Sequence, residues 1–164
     1  EAFDFVCELV KDRAPLTESI IRQVHYLVLA DKKDDRGVYR RIPVRIMGAH
    51  HIPTEPLLIQ GEMEKLLTDY AADKRHIVTK LAWFHIVFEG IHPFIDGNGR
   101  TGRLLANFIL MRSGYLPISI KYENRRAYYE AFTAYHKENT LVPMLEIFME
   151  RELSRLSEYL NIIK

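Results

Sequence analysis

The sequence predicts an all-α domain: a helical bundle around two central apolar helices, carrying a small β-hairpin flap. Three observations lead there. Apolar residues recur at three- and four-residue spacing in seven separate segments. Two of those segments are apolar nearly all round, as helices in the middle of a core must be. Only one stretch, residues 38–52, alternates in the manner of strands.

The elements follow in order. Residues 1–13 place Phe5, Val6, Leu9 and Val10 at helical spacing, and Pro15 breaks the pattern. Thr17 is half of a helix cap, and from Glu18 to Ala30 the residues Ile20, Ile21, Val24, Leu27 and Val28 form one stripe. In 38–52, Val44 and Ile46 alternate around Arg45, with Pro43 at an edge and Gly48 at a turn, which predicts the hairpin. A helix follows over 55–72. The next, 76–89, is almost continuously apolar from Ile77 to Phe88, with Gly90 as the residue that ends it. A loop leads to a second very apolar helix over 98–112, with Gly114 beyond its end. Helices over 123–137 and 142–161 complete the chain.

The chain of 164 residues predicts a single domain over 1–164, and 48% hydrophobic with 27% charged residues is globular composition. A net charge of +1 argues against nucleic acid as a partner held by bulk charge, while leaving room for a local basic pocket. One cysteine, Cys7, excludes an internal disulfide framework and a multi-cysteine zinc site. No apolar run approaches 18 residues and the first residues carry acids, so neither a membrane span nor a signal peptide is expected, and a cytoplasmic location is. The chain starts at Glu1 rather than Met, which predicts a fragment of a longer protein.

The chemistry concentrates in His92-Pro93-Phe94-Ile95-Asp96-Gly97-Asn98-Gly99-Arg100-Thr101-Gly102-Arg103. Two glycines flank Asn98 where a loop enters a helix, leaving backbone N–H groups free at the positive end of the dipole. That arrangement holds an anion, most often phosphate. Arg100 and Arg103, at i and i+3, share a helix face and suit a chain of phosphates. Asp96 can reach a magnesium ion bridging those phosphates. His92 titrates near neutrality and can take a proton from an incoming hydroxyl. Base, metal ligand, anion hole and charge clamp thus lie within twelve residues. Gly97–Gly102 also fits G-x-G-x-x-G, but a dinucleotide site needs a preceding strand in a βαβ unit, and here a helix precedes.

This stretch resembles the signature of the Fic family, His-Pro-Phe-x-Asp/Glu-Gly-Asn-Gly-Arg-x-x-Arg, at every specified position. Gly37-Val38-Tyr39-Arg40, Gly48-Ala49-His50-His51-Ile52-Pro53, Gly114-Tyr115-Leu116-Pro117 and Tyr128-Tyr129 resemble further family segments. The resemblance implies a protein adenylyltransferase: transfer of AMP from ATP to a Ser, Thr or Tyr hydroxyl of a target protein, with pyrophosphate leaving. It implies His92 as base and Asp96 as the Mg2+ ligand. It implies Gly97, Asn98, Gly99, Arg100, Gly102 and Arg103 around the phosphates, with Asn98 near the α-phosphate, and Tyr128 and Tyr129 near adenine. The flap, Ile46, Met47, Gly48, Ala49, His50 and His51, is implied to align the target by strand pairing.

Alternatives stay open on the same fold: transfer of UMP, phosphocholine or phosphate, or a catalytically silent peptide-binding module. Self-modification and a homodimer are further expectations. Many family members carry an inhibitory Ser/Thr-x-x-x-Glu-Gly/Asn helix whose glutamate pairs with the second motif arginine. Ser119–Asn124 fits the string in the wrong place, and Ser154 with Glu158 fits only in part, Tyr159 following. The resemblance leaves open whether an inhibitory helix lies upstream of residue 1.

Overall fold

A computed structural model of the chain describes residues 1–29, 34–46, 51–119 and 125–163. Among them are seven α-helices: α1 (Ala2–Lys11), α2 (Glu18–Val28), α3 (Ile59–Ala72), α4 (Ile77–Ile91), α5 (Asn98–Arg112), α6 (Arg125–Glu138) and α7 (Val142–Ile162). A 3-10 turn, Pro56–Leu58, leads into α3. Each helix falls within a few residues of its expected span. Thr17 caps α2 by accepting the Ile20 N–H at 3.3 Å.

The two most apolar helices are the centre. Nine residues of α4 are buried, from Val78 round to Ile91, and none of its other residues is fully exposed. It packs on α3, α5 and α7, while α5 packs in turn on α1 and α2. Phe84, Phe88, Phe94, Phe108 and Phe148 are the largest fully buried side chains and lie at these contacts. Burying each is worth roughly 2–3 kcal/mol. The bundle therefore fixes the relative position of the α4 C-terminus and the α5 N-terminus, between which the signature loop runs.

Two expectations are corrected. Gly90 does not end α4; the helix runs on to Ile91 and it is His92 that adopts the left-handed conformation, at φ 51°. The glycine serves packing instead. A Cβ there would sit 3.2 Å from His136 Cε1 on α6, so Gly90 makes the seat for that imidazole. The hairpin is also not found among the described residues: 34–46 and 51–55 contain no strand. Met47, Gly48, Ala49 and His50 lie outside the described residues. The physical reason for the flanking part is that a side chain takes over the backbone bonding. Arg40 Nη1 donates to the Ile42 carbonyl at 3.0 Å, and the Arg40 N–H goes to the Pro93 carbonyl at 2.9 Å. Pro43 has no N–H to offer a partner strand.

Candidate active site

The signature loop is held from three sides. From within, the buried Asn98 amide clamps Phe94 twice: Oδ1 accepts the Phe94 N–H and Nδ2 donates to the Phe94 carbonyl, both at 2.9 Å. From α2, His25 stacks flat on the Phe94 ring, centroids 3.6 Å apart. The Gly37 N–H donates to His25 Nδ1, which forces the proton onto Nε2, and Nε2–H donates to the Asp96 carbonyl; each bond is 2.9 Å. Burial holds His25 below the ordinary histidine value, consistent with this neutral form. From the 34–46 segment, the buried Arg40 guanidinium caps the C-terminus of α4. Nε donates to the His92 carbonyl at 2.8 Å and Nη2 reaches the carbonyls of Ile91 and Thr54. A cation at a helix C-terminus also suits the dipole.

These restraints explain the left-handed His92. Two successive carbonyls of the turn, those of Ile91 and His92, accept from one guanidinium, and the Pro93 carbonyl accepts the Arg40 N–H; together they hold a non-glycine residue in a sparsely populated conformation. The imidazole is mostly buried, and its Nδ1–H donates to the Glu89 carbonyl at 3.3 Å. With Nδ1 so committed, Nε2 carries the free lone pair. Burial lowers the imidazole's pKa, which keeps it neutral at physiological pH.

His92 faces a cavity of about 410 Å3 together with Gly99 and Arg103 from α5, Glu89 from α4, and Tyr128, Tyr129 and His136 from α6. Ile46 and His51, the described ends of the expected flap, also line it. The volume is in the range of small-ligand sites. Gly97 opens α5 at φ 79°, and a Cβ there would press on the His25 ring at 3.3 Å. The N–H groups of the first turn of α5 have no partner four residues back, which is the general basis of an anion cradle. Asn98 contributes to it through its backbone only, since its side chain is spent on Phe94.

Several expected residues take other positions. Arg100 and Arg103 do not converge. Arg103 lines the cavity, whereas Arg100 Nη1 donates to the Val28 carbonyl at 3.1 Å and stands 3.7 Å from Asp96 Oδ1. Three residues along a helix leave about 60° between side chains, enough for the α2 C-terminus to draw Arg100 aside. Asp96 is half-exposed, and its Oδ1 accepts the Gly97 N–H at 2.6 Å. Tyr128 and Tyr129 both line the cavity, and the Tyr128 hydroxyl is tied to His85 Nε2 at 2.5 Å. His51 stacks on His136 at 4.1 Å and is pushed down to about 4 by burial. Glu158, the partial inhibitory match, pairs with Arg155 of its own helix at 3.0 Å. No carboxylate lies within ion-pair distance of Arg103 among the described residues.

Two site residues have no place in the sequence reading, His25 and Glu89, and Arg40 entered it only as the last residue of Gly37–Arg40, without a role. Glu89 alone carried a local signal, an acid in an otherwise apolar helix three residues before His92.

The fold and site define a helical domain with a histidine facing a loop-to-helix anion cradle. The family model for the Fic/DOC family matches residues 15–110, and the chain belongs to that family. It is 32% identical over 163 residues to the Protein adenylyltransferase Fic of Drosophila persimilis, covering 97% of this chain and 32% of the relative. The chain thus spans about a third of the curated relatives it matches. Among solved structures it resembles a Fic domain containing signaling protein from Bacteroides thetaiotaomicron, with TM-score 0.85 and 26% identity, over 95% of this chain and 66% of that one. It shares its fold with an N-terminal Fic domain from Bartonella quintana that was solved with bound ADP, at TM-score 0.69 and 20% identity, over 92% and 84% of the two chains.

Proposed function

We propose that this domain transfers AMP from ATP to a hydroxyl of a target protein. The observation that carries the reading is the cavity that brings His92 Nε2, the α5 N-terminus and Arg103 to one place. The target O–H attacks the α-phosphorus, His92 takes its proton, the bond from that phosphorus to the β-phosphate oxygen breaks, and pyrophosphate leaves. Arg103 supports binding of the outer phosphates, and the α5 N–H groups stabilise charge that develops on the α-phosphate. The curated relatives named as adenylyltransferases and the ADP-bound relative support ATP as the donor.

Asp96 is our magnesium ligand. The donor set fits: one half-exposed carboxylate beside the anion cradle, and no cluster of three ligating side chains among the described residues. Magnesium characteristically takes one or two carboxylates and completes its shell with phosphate oxygen and water. When bound it would neutralise phosphate charge.

The finer readings belong here too: one domain, a cytoplasmic setting and a capacity for self-modification and dimer formation. No helix among the described residues is long and apolar enough to cross a membrane. Self-modification is expected because the described glutamate of inhibitory spacing, Glu158, pairs with Arg155 of its own helix and not with Arg103. The decisive experiment supplies ATP labelled at the α- or the γ-phosphate to purified protein and to a lysate. Label transferred only from the α-position is expected. Transfer from the γ-position makes the enzyme a kinase, and no transfer from either sinks the reading in favour of a silent binding module.

A further inference from the structure

Glu89 is the one acid in α4, and its surroundings give it no structural use. The residue is 8% exposed, and Oε1 is buried without a hydrogen-bond partner. Burying an unpartnered carboxyl costs free energy that leucine or methionine at this position would not incur. Yet the fold makes room for it. A Cβ on Gly102 would fall 2.4 Å from Oε1, so any larger residue at that position of α5 would push the carboxyl out of its present place. The other oxygen, Oε2, stands 3.9 Å from His92 Nδ1. A Cβ on Gly99 would lie 3.3 Å from Arg103 Nη1 and 4.0 Å from Glu89 Oε1, so the guanidinium and the carboxyl both border that glycine. Both line the cavity.

We propose that Glu89 is a positioning residue: its carboxylate, set between the imidazole of His92 and the guanidinium of Arg103, holds base and phosphate-binding cation in one arrangement and stabilises the imidazolium formed during transfer. The catalytic part of this assignment rests on the AMP-transfer reading. The groups that face Glu89 are His85 on its own helix, His92 in the loop, Arg103 on α5 and Tyr128 on α6. Burial pushes the carboxyl up to about 7, against the pull of Arg103. It therefore changes charge across the neutral range, 3.9 Å from the imidazole of His92. A buried neutral acid gains its charge as the pH rises through 7, and from there the imidazolium has its counter-charge.

The test uses E89Q, E89L and a glycine partner. In the protein without ATP, the His92 Cε1–H resonance should shift in two steps with pH, one of them near 7. In E89Q it should shift in a single step at lower pH. At pH 8, E89Q should lose at least about tenfold in kcat with little change in KM for ATP, because the base loses its counter-charge while the cradle remains. Its rise in rate across pH 7 should disappear. E89L should lose as much activity yet melt at or above the wild-type temperature. G102A should fail like E89Q, and G102A with E89A should be no worse than E89A alone, since the clash is gone. An E89Q protein with the wild-type His92 titration and wild-type kcat overturns the proposal. So does a loss of activity matched by a loss of folded protein in both Glu89 variants. A wild type that transfers no AMP but shows the two-step titration overturns the proposed reaction and leaves the positioning of His92 standing.

Discussion

The turn joining α4 to α5 and the last three turns of α7 are comparable lengths of chain with opposite physical characters. In the turn, local bonds such as those of Asn98 to Phe94 are joined by partners from far along the sequence: Arg40 on the His92 carbonyl, His25 on the Asp96 carbonyl. Along α7, Leu153, Leu156 and Leu160, with Ile163 just past its end, are exposed, Leu153 at 61%, and repeat at three- and four-residue spacing. Hydrophobicity organises the first region only indirectly, by bringing α2, α4 and α5 together. Directional bonds then set the backbone of the turn. In α7 a regular apolar pattern yields a helix but no site. A site needs converging polar groups, and a stripe does not supply them.

The sharpest way to break this contrast is at the base. His92→Ala should reduce AMP transfer by about 10²- to 10⁴-fold, with the far-ultraviolet spectrum and ATP binding, read by calorimetry, retained. Loss of ATP binding in proportion to rate would make His92 structural. Next is Arg40→Met, which keeps the stem but removes the bonds to four carbonyls. Urea unfolding should show a loss of roughly 3 kcal/mol, and activity should fall because the turn is no longer held. Asn98→Ala strands the N–H and carbonyl of Phe94 and should cost about 2 kcal/mol.

Acid sharpens the comparison in a graded way. His25, His51 and His85 are held below the unfolded histidine value of about 6.5 by burial, His51 and His85 down to about 4. In that window the unfolded chain binds more protons than the folded one. Stability should therefore fall as the pH drops from 6.5 toward 4, and level off below the folded values. The raised carboxyl of Glu89 acts in the opposite sense between 4.5 and 7, so H25Q, which removes one histidine contribution, should make the acid slope shallower. Transfer itself should be lost as the pH falls through the lowered pKa of His92, because only the neutral imidazole accepts a proton. Smallest of all, Leu156→Ser and Leu160→Ser should leave activity unchanged and stability within about 0.5 kcal/mol. A loss of activity there would show that the α7 seam matters to the site.

The sequence by itself determined the seven helices, their order and the two that are central. Helical periodicity and all-round apolarity are local properties, legible wherever they occur. It also determined the chemistry of His92 through Arg103, because base, carboxylate, glycines and guanidinium are contiguous. Only the tertiary structure decided which of those groups meet. It sent Arg100 to the carbonyl of Val28 and Arg103 to the cavity, spent the Asn98 side chain on Phe94, and turned Gly90 from a helix end into a seat for His136. It brought His25 and Arg40 to the loop across separations of 71 and 52 residues. Nothing near either residue announces that contact, because a hydrogen bond to a distant carbonyl depends on where packing places the two backbones and leaves no period or motif in the chain.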